Sequence, residues 1–93
     1  LMAGMNIFNK IVVSNWEVVS DNVPDTPFKT LWSEVQFSED YKALKAKVKR
    51  QYSRDRFYEW LRNNYKWNVI PDGTYVVEGI RKRYIQEEII GGS

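Results

Sequence analysis

YKALKAKVKRQYSRDRFYEWLRNNYKW, residues 41–67, is the stretch that decides the fold. It reads as two amphipathic helices joined at Tyr52-Ser53. Ser38 caps the first, with Glu39 and Asp40 at the positive end of its dipole. Tyr41, Leu44, Val48 and Tyr52 fall within about 80° of one another at roughly 100° per residue, so they form one core-facing stripe. Ser53 caps the second helix, which is expected from residue 54 to about 65. Phe57, Tyr58, Trp60, Leu61 and Tyr65 fill its inner face. Asp55, Arg56, Glu59, Arg62, Asn63 and Lys66 point outward.

The same stretch concentrates the positive charge. Nine cations (Lys42, Lys45, Lys47, Lys49, Arg50, Arg54, Arg56, Arg62, Lys66) face two acids, a net +7. Residues 1–40 carry −4 and residues 68–93 carry −1, so the overall +2 conceals a polarised chain. Such asymmetry points to a polyanionic partner.

Upstream, Thr26-Pro27 opens another helix. Threonine is expected to cap it and proline to take its first position. Phe28, Leu31, Trp32 and Val35 give that helix one apolar face, ending near Phe37. A loop at residues 20–26 is broken by Pro24. Residues 7–19, IFNKIVVSNWEVV, read two ways: their β-branched side chains favour a strand, with Ser14-Asn15 turning a short hairpin, while Ile7, Phe8 and Ile11 also suit one helical turn; the strand is preferred.

Downstream, KWNVI (66–70) and TYVVEGI (74–80) flank Pro71-Asp72-Gly73, a β-hairpin signal. Gly79 marks a bend. Arg81, Lys82, Arg83 and Tyr84 form a compact basic run, and residues 85–90 a last strand or short helix. The expected fold class is α+β: a small three-helix core with a C-terminal β-hairpin and an N-terminal strand or hairpin.

Ninety-three residues make one domain. A chain of this length buries only roughly 60–65% of its unfolded surface. Four tryptophans and six tyrosines provide large buried areas from few positions. Residues 1–4 read as an appended remnant before Met5, residues 5–90 as the domain, and residues 91–93 as a linker-like tail. No apolar run approaches the ~20 residues that span a bilayer, so no membrane partner and a cytoplasmic location are expected.

The chain contains neither histidine nor cysteine. The usual general base near neutral pH, the thiol nucleophile and nearly all nitrogen or sulfur metal sites are thereby removed. No phosphate-cradling glycine loop occurs. We therefore expect a non-enzymatic protein with no cofactor, no metal and no catalytic residue.

Helix, helix, turn, helix, hairpin is the order of a winged helix-turn-helix. The chain resembles that superfamily, and within it the terminal winged-helix domains of viral and plasmid replication proteins such as primase-helicases. The matching residues are Phe57, Trp60 and Leu61 on the third helix and Gly79-Ile80-Arg81-Lys82-Arg83-Tyr84 after the hairpin, over about residues 26–86. Such domains carry at most a short strand between their first two helices, so a β-rich N-terminal arm departs from them.

The resemblance implies DNA contact by the third helix and a basic wing, in phage or mobile-element replication. The candidate nucleic-acid-binding residues are Lys45, Lys49, Arg56, Arg62, Asn63, Lys66, Arg81, Lys82, Arg83 and Tyr84. Duplex and single-stranded partners both fit, since Tyr84, Tyr75 or Trp67 can stack on unpaired bases at roughly 1–3 kcal/mol each. The alternative is a small protein-binding module or phage-encoded inhibitor that meets a host protein through its acidic N-terminal third, Trp16 and Trp32.

Overall fold

Asn6 sets the start of the chain's architecture. The computed structural model describes residues 6–83. The side-chain oxygen of Asn6 accepts the N–H groups of Phe8 (2.8 Å) and Asn9 (3.4 Å), capping a helix, α1, over Ile7–Asn15. Phe8, Ile11 and Val12 follow at helical spacing and are buried. The strand expected over residues 7–19 is thus corrected. Capping and an i, i+3, i+4 apolar face outweigh the β preference of Val12 and Val13. Ser14-Asn15 is no hairpin turn but the end of this helix. Only Trp16–Val18, β1, is extended.

The next correction is at Thr26. It is buried in a two-residue strand, β2 (Thr26–Pro27), and does not cap. Pro27 is the N-cap of α2 (Phe28–Phe37) and has no side-chain hydrogen bond to offer. The apolar face of α2 is as expected, with Phe28, Leu31 and Val35 buried.

The single helix expected over residues 38–52 is broken. Ser38 caps it as predicted, its hydroxyl accepting the Tyr41 N–H at 3.2 Å. One turn later α3 (Glu39–Lys42) stops. After a gap come α4 (Ala46–Lys49) and a 3₁₀ turn (Arg50–Tyr52). Of the like-charged neighbours on an unbroken helix, only Lys42 and Lys45 are parted by the break; Lys45 and Lys49 stay on one turn, the Lys49 N–H donating to the Lys45 carbonyl at 2.9 Å. The stripe Tyr41, Leu44, Val48, Tyr52 is only half-buried, so packing gives a continuous helix little support. Tyr41 Oη instead donates to the Tyr52 carbonyl at 3.0 Å. In a continuous helix those residues would be about 16 Å apart along the axis.

Helix α5 (Arg54–Asn64) begins as read from the sequence, with Ser53 Oγ accepting the Arg56 N–H at 3.3 Å. The hairpin follows directly, β3 (Trp67–Val69) antiparallel to β4 (Tyr75–Val77), with Trp67 opposite Val77 and Val69 opposite Tyr75. Its turn needs Gly73 at φ 92°, and Gly79 at φ 72° redirects the chain into β5 (Ile80–Lys82). The strands form two sheets. One is β2-β4-β3; the other pairs β1 with β5, Glu17 opposite Arg81. The fold class is α+β, as expected. Tyr84, residues 85–90, residues 91–93 and residues 1–4 lie outside the described residues.

The three helices of the core are α1, α2 and α5; α3 and α4 contribute no buried residue. Phe57 is fully buried where the three meet. Its ring lies 4.9 Å from Phe8 of α1 and 5.7 Å from both Phe28 and Trp32 of α2. Tyr75 attaches the hairpin, 5.5 Å from Phe28 and 4.6 Å from Tyr58.

Replacing Phe57 by alanine removes this shared contact. Phe57→Ala is expected to cost about 3–5 kcal/mol in chemical denaturation, a large share of the roughly 5–15 kcal/mol available to a small domain. A loss below about 1 kcal/mol would show that the three helices hold together without it.

Candidate nucleic-acid interface

The candidate cations divide into two populations. Arg81, Lys82 and Arg83 are engaged within the molecule. Arg81 reaches Glu17 at 2.9 Å and Asp21 at 3.8 Å. Arg83 contacts Glu17 at 3.5 Å, and its Nε donates to the Val13 carbonyl at 2.7 Å. Lys82 pairs with Glu34 and lies 5.3 Å from the Trp16 ring, while Trp16 Nε1 donates to the other Glu34 oxygen at 2.9 Å. Three cations and three acids make this cluster neutral.

The run therefore does not extend the hairpin as a basic wing, which corrects that expectation. Gly79 turns it onto β5, against β1, at the C-terminal end of α1. From residue 66 to residue 80 the hairpin and its flanks carry one cation, Lys66, and two acids, Asp72 and Glu78. The Asp72 carboxylate accepts from Thr74 across the turn, which lowers its pKa.

The second population is unpaired. Lys45, Lys47, Lys49, Arg50, Arg54 and Arg56 form no ion pair among the described residues, and Asp55 is the one acid in residues 45–56. All are exposed except Lys49, which is half-buried with Nζ 5.7 Å from the Tyr41 ring. The break between α3 and α4 and the 3₁₀ turn place Lys45, Lys47, Lys49 and Arg50 on a short, irregular connection ahead of α5, and Arg54 and Arg56 on its first turn.

On α5 itself Arg56 borders a shallow depression with Tyr52 and Trp60. Arg62 is stacked at the foot of the hairpin, its guanidinium 4.2 Å from the Trp67 ring and 5.5 Å from Tyr58. Asn63 shares a shallow surface with Glu59, Arg62 and Trp67. Arg56 and Arg62 face Asp55 and Glu59, so the outer face of α5 is balanced in charge. Lys66 lies across the hairpin, beside the loop carrying Asp21 and Asp25.

Arg54, whose guanidinium covers Phe28 at 5.0 Å, and Lys47 and Arg50 are counted in the basic stretch but not among the candidate binding residues. Lys29, also exposed and without an ion pair among the described residues, borders a cavity with Arg54. The missed signal was local: residues 45–56 hold six cations and a single acid. Among the described residues no group of His, Cys, Asp or Glu side chains is placed to hold a metal ion. No described helix is long and apolar enough to cross a membrane. Compared with protein-family models, curated proteins and solved structures, the chain matches none.

Burial shifts several phenols. Tyr75 is pushed up to about 12, first by desolvation and then by Tyr58, with Arg62 pulling the other way. Burial also raises Tyr41 and Tyr65. A raised phenol favours its neutral form in the fold, so its contribution to stability is complete below pH 10 and is lost as pH rises toward 12. Ultraviolet titration of the phenolate is expected to show Tyr75 ionising last; Arg62→Gln should raise its pKa further and Tyr58→Phe lower it. Ionisation of Tyr75 near the ordinary value of 10.0 would contradict its burial.

Proposed function

We propose that this chain is a non-enzymatic nucleic-acid-binding domain, with DNA the favoured partner, that meets phosphates through residues 45–56 and the exposed side of α5. The observation that carries this reading is the partition of charge. Folding neutralises Arg81, Lys82 and Arg83 but leaves six cations against one acid on a contiguous exposed segment. A strip of unpaired cations attracts a polyanion and gains affinity from counterion release. Arg62 and Asn63 are suited to base edges, and Trp67 to stacking.

The order of elements supports a winged-helix reading. Residues 7–15 are helical, and the short strands β1 and β2 fall between α1 and α2. The β-rich arm is thereby reduced to two short strands, one more than such domains carry there. The hairpin follows α5 in the position of a wing. A role in phage or mobile-element replication belongs to the same proposal and rests on the resemblance alone. The acids of the N-terminal third already hold Lys10, Arg81, Lys82 and Arg83, which leaves less free charge there for a protein partner.

Titration with duplex and single-stranded oligonucleotides across a salt series tests the proposal. Neutralising about six phosphates predicts a log–log slope near −5 on duplex, or roughly 10³-fold weaker binding between about 50 and 200 mM salt. Combined Lys47→Glu, Lys49→Glu and Arg50→Glu should reduce affinity at least about tenfold. Combined Arg81→Gln, Lys82→Gln and Arg83→Gln should change it little, at most about twofold. No binding at low salt, or full binding by the glutamate variant, would defeat the reading.

A further inference from the structure

A cavity of about 400 Å³ opens between the first turns of α2 and α5 and the hairpin turn. Its size is within the range of small-molecule sites, roughly 300–1,000 Å³. Phe28, Tyr58 and Tyr75 form aromatic walls, and Lys29, Arg54 and Asp55 provide charge. Neither cation has an ion-pair partner among the described residues. The Tyr75 hydroxyl is the one buried side-chain polar atom among the described residues without a hydrogen-bond partner. An aromatic pocket with two free cations at its margin suits a flat ring that carries an anion. Arg54 and Asp55 also belong to the unpaired basic segment, so the cavity adjoins the surface proposed to follow a phosphate backbone.

We infer that this cavity holds one unpaired nucleotide, its base against Tyr58 and Tyr75 and its phosphate near Lys29 and Arg54. The inference deepens the nucleic-acid reading and rests on it. Asp55, the lone carboxylate of the lining, accepts N–H groups and so favours a base with an exocyclic amine, such as cytosine, over thymine. The nucleotide is either a free monophosphate or a residue of a single strand or unpaired end. The shared chemistry is the nucleoside 5′-monophosphate unit.

The test titrates the full chain with deoxycytidine 5′-monophosphate and follows the backbone and aromatic resonances. Saturable shifts at Tyr58, Thr74 and Tyr75 are expected, with a Kd of about a millimolar, the range for a weak single-nucleotide contact. Lys29→Glu should abolish them; Lys29 is exposed, so an otherwise unchanged spectrum verifies the fold of that variant. Absence of shifts at saturating nucleotide would overturn the inference. So would the same shifts with inorganic phosphate, which would make the site a simple anion site. An equal or stronger response to O-phosphotyrosine would likewise reassign it, to a phosphopeptide.

A second arm compares a cytosine-rich single strand with a blunt duplex. If the nucleotide belongs to a strand, Lys29→Glu weakens the single strand about five- to tenfold and leaves the duplex within about twofold, the scale of one lost base contact. If Lys29→Glu loses the monophosphate shifts but keeps its single-strand affinity, the site is assigned to the free nucleotide, in support of the inference. If both oligonucleotides fail to bind while the monophosphate shifts persist, the nucleic-acid reading fails and the cavity stands.

Discussion

The Phe57 ring is the contact on which the molecule depends. It is fully buried and touches aromatic rings from both other core helices. A chain of 93 residues has little surface to bury, and the aliphatic side chains at its centre, Leu31, Val35, Leu61 and Val77 among them, pack around these rings. Aromatic rings supply area and directional edge contacts at once. The hairpin joins the same assembly through Tyr75 against Phe28 and Tyr58. Fixing Phe57 therefore fixes the outward face of α5, the foot of the hairpin at Trp67, and the approach to the cavity between them.

Charge is organised by the fold in a way that linear counts do not reveal. The acidic third and the C-terminal basic run cancel because β1 and β5 are neighbours, with Glu17 directly across from Arg81. Individually such exposed pairs contribute little, about 0–1 kcal/mol each. Their larger effect is on what remains. With those acids occupied, the unbalanced charge of the molecule lies mainly in residues 45–56. The cations gathered there are the ones available to an outside polyanion.

Much of this was legible in the sequence, and the reasons are local. Ser38 and Ser53 caps, the apolar spacing of Phe57 and Leu61, and the Pro71-Asp72-Gly73 turn each act over a few residues, and each is present. Residues 7–15 misled because β-branched side chains dominate composition, whereas the deciding features were the Asn6 cap and the spacing of Phe8, Ile11 and Val12. The helix expected over residues 38–52 has a clean stripe, but its residues are only half-buried. The position of Arg81, Lys82 and Arg83 depends on a partner strand 64 residues away, which no local pattern encodes. The cavity beside Lys29 and Arg54 has the same origin, since its walls come from α2, α5 and the hairpin turn.

That distant pairing has a kinetic side. The segments from α2 through the hairpin are connected by short links, and their contacts need only modest loops. Joining β1 to β5 encloses nearly all of the intervening chain, so its closure entropy is largest and its formation is favoured late. During assembly, Glu17 and Arg81 are then held apart until the rest has condensed. The clasp between the two margins is the last seam to close and, with only three residues per strand, the first through which the domain can open.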